Sequence, residues 1–181
     1  LLGELYRQLD NKATLHLALL LHDLGKGYEE DHSEVGARLA RRTAERFNLP
    51  AQQAETIEFL VHRHLLMSHF GQKYDTSQPE LVARFVEQVR TQERLDMLFL
   101  VTCADMAAVG PGVLNSWKIE VFSELYFSAS RRLAAVDGDR AVAERQAVRE
   151  LLTRPERQDP WIERQLSALP ESFVVKRPAA A

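Results

Sequence analysis

Between Leu15 and Leu21 the chain is apolar except for His16. The run then ends at once in His22 and Asp23, with Lys26 three residues further on, inside the stretch LALLLHDLGKG from Leu17 to Gly27. Such a run predicts a helix buried on most of its sides, and Gly25 and Gly27 end it. Polar groups at the end of a buried helix constrain everything else. An ionised Asp23 taken out of water loses several kcal/mol of hydration unless a cation or good hydrogen bonds replace it. A divalent metal is the simplest replacement. Alone, the pair also has an ordinary reading, in which His22 caps the helix and Asp23 pairs with Lys26 in solvent.

The rest of the chain reads as helices. Leu2, Leu5, Tyr6 and Leu9 make a helical pattern that breaks at Asp10 and Asn11. After the glycine turn, Asp31 followed by Glu34 predicts a capping pair for a helix that buries Val35, Leu39 and Phe47 and is stopped by Asn48, Leu49 and Pro50. From Ala51 a further helix places Ile57, Leu60, Val61 and His64 on one face, so His64 points inward and His62 outward. Ser68 to Ser77 reads as a polar loop. Pro79 opens a helix with a stripe of Leu81, Val82, Phe85, Val86 and Val89. Thr91 caps another, with Leu95, Leu98, Val101, Thr102 and Val109 on the face that also holds Asp105. Gly110, Pro111 and Gly112 stop it. Asn115 caps a long helix on which Trp117, Val121 and Leu125 recur. Two more helices are expected, from Asp139 to about Leu152 and from Asp159 to Leu169, with Arg177 to Ala181 a frayed or artificial end. No stretch alternates as a strand would, so the fold class is all-α, with about eight or nine helices.

Composition narrows the function. With 181 residues, the chain holds one domain plus an appendage, placed at 1–136 and 137–181. A net charge of -3 without a basic block gives no electrostatic case for nucleic acid. The longest apolar run is too short to span a bilayer, no signal peptide is visible, and a single Cys103 suits a reducing cytoplasm. A start at Leu1 without methionine reads as a piece of a longer protein.

Three predicted helices thus bury a polar group where packing asks for hydrocarbon: His22 with Asp23, then His64, then Asp105. His32, at the start of the helix after the glycine turn, is a fourth candidate. Imidazole and carboxylate together are a ligand set for zinc, iron, manganese or, with more oxygen and water, magnesium, and Cys103 faces elsewhere. Spread over separate helices, they make a catalytic kind of site with room for water, suited to phosphoester hydrolysis. Lys26 is placed to neutralise phosphate charge. Each residue has a plainer reading: His64 as a hydrogen-bonded core histidine, Asp105 as a helix-to-helix hydrogen bond, His32 on the surface. His62 and His69 read as surface, and His16 as packing.

The His22-Asp23 pair with the later Asp105 resembles the HD superfamily of metal-dependent phosphohydrolases. More narrowly, LALLLHDLGKG, DHSEVGA, FLVHRHLLMS and ADMAAVGPGVLNSWKIEVFSELY resemble the HD domain of the bacterial bifunctional uridylyltransferase/uridylyl-removing enzymes. The likeness covers Leu15 to Leu133, and more weakly LSALPESFVV in the tail. It implies an HD-like helical bundle that hydrolyses the uridylyl-tyrosine phosphodiester on the PII nitrogen-signalling protein and releases UMP. It also implies His22, Asp23 and Asp105 as metal ligands, His32 and His64 as the histidines some members use for a second metal, and Lys26 as the family's lysine. Lys118 is a candidate for phosphate or substrate contact.

Two departures follow from the same resemblance. The family's first histidine ligand lies upstream of the pair, and nothing before His16 fits it, so the resemblance implies a site that lacks this one ligand in the present stretch, a loss that would weaken or abolish metal binding. The nucleotidyltransferase domain and the amino-acid-sensing modules, expected as partners in the full-length enzyme, are absent from this stretch. Two other readings stay open: hydrolysis of free nucleotides, and an inert regulatory or docking module.

Overall fold

A computed structural model of the chain describes residues 1–75 and 78–152, and all the regular structure among them is helical. The eight helices are α1 (Leu2–Gln8), α2 (Lys12–Leu21), α3 (His32–Arg46), α4 (Ala51–Arg63), α5 (Leu66–Lys73), α6 (Pro79–Val89), α7 (Gln92–Val109) and α8 (Ser116–Leu152). By internal contacts the chain divides into two compact units, Leu1–Leu133 and Ala134–Ala181. Apart from the far end of α8, everything described below belongs to the first. No helix of the described residues is long and apolar enough to cross a membrane.

Local chemistry sets the helix starts. The Asn11 carboxamide accepts from the amide of Thr14, the Thr91 hydroxyl from that of Arg94, and the Asn115 carboxamide from that of Lys118, each satisfying an amide the helix cannot bond itself. Asp31 accepts from both Ser33 and Glu34. The capping is one-way, because the Glu34 carboxylate turns instead to His62, 3.3 Å away on α4.

The centre of the unit is a trio, α2, α4 and α7, each touching the other two, with α3 laid along α4. Leu15, Ala18 and Leu21 from α2, Ile57, Leu60 and Val61 from α4, and Leu95, Leu98 and Val101 from α7 are all buried there. Each large side chain so buried contributes about 1.5–3 kcal/mol relative to exposure. The α6 stripe of Leu81, Val82, Phe85, Val86 and Val89 is buried as its spacing predicts.

Several expectations are corrected. The stretch read as a loop from Ser68 is helical as far as Lys73, within α5, whose buried side is Met67, Phe70 and Gly71. Gly71 looks like a turn signal but serves packing, since a Cβ there would come 2.9 Å from the Phe122 ring. The separate helix expected from Asp139 is the continuation of α8, as one glycine at 138 costs only about 1 kcal/mol in a helix and does not end it. α2 is buried along one side rather than most, with Leu20 exposed. Phe47, Val109 and Trp117, expected inside, are also exposed. His16 is not a packing residue of the core: it is exposed and stacks on Tyr6, whose hydroxyl lies 3.0 Å from its Nε2. The helix expected from Asp159 to Leu169 and the tail from Arg177 lie outside the described residues.

Candidate metal centre

The trio is aligned so that three polar groups meet at one end of it. His22 is the C-cap of α2, His64 the C-cap of α4, and Asp105 lies in the second-last turn of α7. Helix C-termini carry unsatisfied carbonyls and the negative end of the dipole, so their convergence favours a cation between them.

Those carbonyls also orient the two histidines in the same way. His22 Nδ1 donates to the carbonyl of Leu19 and His64 Nδ1 to that of Val61, each at 2.7 Å. With the proton committed at Nδ1, the neutral ring carries its lone pair on Nε2. The rings of His22 and His64 stand edge to face at 5.4 Å, and His32 meets His64 at the same separation. His64 is only 2% exposed. Burial holds its pKa below the ordinary histidine value, against the hydrogen bond to Val61, and the neighbouring imidazoles act in the same direction as burial. Thr102, whose hydroxyl donates to Leu98, lies 3.4 Å from the carbonyl of His64 and joins α7 to the end of α4.

His22 Nε2 is the informative atom. It lies 3.3 Å from Asp23 Oδ2 and 3.4 Å from Asp105 Oδ1, yet it is buried and makes no hydrogen bond. A lone pair facing two carboxylates is repulsive unless something positive lies between them. The donor set fits a divalent ion. Nitrogen and oxygen atoms of His22, Asp23 and Asp105 lie within 4.8 Å of one another, as do those of Asp23, His32 and His64. Bonds of about 2.0–2.4 Å to a common ion span such separations. Asp23 belongs to both sets.

Asp23 is held by Lys26, whose Nζ lies 2.6 Å from Oδ2. Burial pushes the carboxyl up, but the Lys26 hydrogen bond and the Lys26 charge work against it, and the group lies below the usual carboxylate range. The same hydrogen bond raises Lys26, which remains exposed. Lys118 is not brought to the cluster by any described contact. Its ammonium donates to the carbonyl of Val113, 2.8 Å away, and fastens the turn between α7 and α8. His62 lines a separate cavity of about 370 Å³ with Glu58, Arg63, Arg90 and Arg94, and no cluster residue reaches it. Burial pushes the Cys103 thiol up to about 11, so no thiolate competes for a metal.

Gly25 has a role beyond ending a helix. A Cβ there would stand 1.9 Å from the carbonyl oxygen of His32 and 2.8 Å from the amide of Gly36. Only glycine lets the turn after Asp23 press against the first turn of α3 and deliver His32 to Asp23. Its spacing between the His-Asp pair and His32 is the signal that could have revealed this.

A sequence model of the HD domain matches residues 1–91. Among curated proteins the chain is similar to bifunctional uridylyltransferase/uridylyl-removing enzymes. It is 44% identical over 147 residues to that of Cereibacter sphaeroides, covering 78% of this chain and 16% of the relative. It is 46% identical over 123 residues to that of Ruegeria pomeroyi, covering 68% and 14%. To that of Xanthomonas campestris pv. campestris it is 39% identical over 184 residues, covering 97% and 21%. The chain therefore spans about a fifth or less of the length of these relatives.

Proposed function

The chain belongs to the HD-domain family, and we propose that it is a divalent-metal-dependent phosphodiesterase that removes UMP from a uridylylated PII signalling protein. The observation that carries the reading is the unpartnered His22 Nε2 between two carboxylates, a geometry that asks for a cation. The relatives' name, which includes uridylyl removal, supports the choice of bond.

His22, Asp23 and Asp105 would hold one ion, and Asp23, His32 and His64 a second, with Asp23 shared. The mixture of imidazole and carboxylate, without a thiolate, admits manganese, iron and zinc, and magnesium with added oxygen ligands; manganese or magnesium is the choice that the family resemblance implies. A bound ion supplies Lewis acidity toward the phosphodiester and makes a neighbouring water more acidic. The chain's own groups do the rest. The carbonyls of Leu19 and Val61 keep the His22 and His64 lone pairs aimed inward, so neither ring turns on binding. Lys26 holds the Asp23 carboxylate ionised and offers its remaining N–H bonds to a phosphoryl oxygen, where charge grows in the transition state. The other domains of the full-length enzyme, the nucleotidyltransferase and amino-acid-sensing modules, are the expected partners in the same polypeptide.

The test is UMP release from uridylylated PII with manganese, followed by chromatography. Wild type is expected to release UMP and Asp23→Asn to release none above background. Equal release by the two would rule the reading out.

A further inference from the structure

We propose that Leu24, Tyr28, Leu65 and Val109 form an apolar rim around the metal centre on which a protein carrying the phosphodiester docks, an inference that rests on the phosphodiesterase reading above. The backbone of each of these residues is held close to a cluster residue by covalent geometry. Leu24 follows Asp23 and Leu65 follows His64, with consecutive Cα atoms about 3.8 Å apart. Val109 lies one helical turn beyond Asp105 on α7. Tyr28 sits in the short loop whose two ends, Asp23 and His32, both belong to the cluster.

All four are exposed, at 51% for Leu24, 59% for Tyr28, 45% for Leu65 and 70% for Val109. One exposed apolar side chain is ordinary; one beside every ligand-bearing segment of a polar centre is not. Leaving such groups in water forgoes the hydrophobic gain that a covering partner would supply.

Charge selects the occupant. Beyond the ions that the centre would hold, a free nucleotide with two or more phosphates needs cationic side chains around the site. The segments that adjoin the cluster are LGKGYEED from Leu24 to Asp31, LLMS from Leu65 to Ser68 and MAAVGPGVLNS from Met106 to Ser116, and they contain one cation, Lys26. Lys118 is committed to the Val113 carbonyl, and Arg63 lines the separate cavity on α4. One lysine and an apolar rim suit a singly charged diester presented by a protein surface.

The experiment compares the wild-type chain with Leu24→Ser/Tyr28→Ser/Val109→Ser, all at exposed positions and none a metal ligand, and with Tyr28→Arg alone. Binding of fluorescently labelled uridylylated PII is read by anisotropy, and turnover of bis-p-nitrophenyl phosphate with manganese is read in parallel. The triple variant is expected to raise Kd for the protein at least about tenfold while small-diester turnover stays within about twofold. Tyr28→Arg shifts Kd in the same direction. Unchanged binding by the variants, or a wild-type chain that binds no uridylylated PII, overturns the proposal. Should wild type bind the protein through the rim yet cleave neither substrate, the docking surface stands and the phosphodiesterase reading fails.

Discussion

His22 Nε2 and Asp105 Oδ1 face each other across 3.4 Å, one at the end of α2 and the other near the end of α7, without a hydrogen bond between them. Neither group has a reason to be there that packing supplies. Their approach, with Asp23 alongside, gives the fold a ready place for positive charge.

Because Asp23 is common to both donor sets, its loss differs from the loss of any other ligand. Asp23→Asn is expected to abolish binding of both ions, whereas Asp105→Asn and His32→Gln each remove one. Elemental analysis after equilibrium dialysis against manganese counts them. Two ions retained by Asp23→Asn would contradict the shared role.

Gly25→Ala places a methyl group against the His32 carbonyl, and backbone must yield because the obstacle is not a flexible side chain. A loss of about 1–3 kcal/mol in urea unfolding is expected, together with loss of the ion that His32 helps to hold. Stability and ion count both equal to wild type would mean that the turn has slack.

The sequence makes the candidate site legible where helical periodicity decides orientation. His64 falls in register with Ile57, Leu60 and Val61 and is buried, while His62, two positions earlier, turns out to Glu34. The caps at Asp31, Thr91 and Asn115 are legible because a short polar side chain before a helical pattern has one common use. What periodicity cannot supply is the neighbour. Gly71 reads as a breaker until Phe122 is seen against it, and α5 is missed for that reason. Val109 and Trp117 share the spacing of their buried helix-mates but extend past the part of the core that could cover them. Lys118 looks free in sequence, and only the fold shows the Val113 carbonyl that holds it.

A polar network joins α7 to α8 within the first unit. Asp96 Oδ1 accepts from the Tyr126 hydroxyl and from Gln92, each at 2.7 Å, and Gln92 accepts from Ser130. Burial and the bond to Asp96 both push the phenol's pKa upward, so Tyr126 remains a donor. Tyr126→Phe is expected to cost about 1–2 kcal/mol in chemical unfolding, since Asp96 loses a partner in a part-buried place. An unchanged midpoint would show that water replaces the hydroxyl freely.

Cys103 gives the fold an alkaline limit. In the folded chain the thiol stays protonated until about pH 11, whereas an unfolded thiol ionises near 9. The folded state therefore holds the proton more tightly, and this contribution to stability is full below the unfolded value and is lost as pH rises from there through the folded one. Wild type should lose stability across that window more steeply than Cys103→Ala. At pH 8 a thiol reagent should label the native protein slowly and the unfolded protein at once. Rapid native labelling would mean that the thiol is not shielded.

The most direct measurement is anomalous diffraction from crystals grown with manganese. A peak bonded to His22 Nε2, Asp23 and Asp105, with a second at Asp23, His32 and His64, is the predicted result. No anomalous density at either place, with manganese saturating the crystal, would contradict the account at its root.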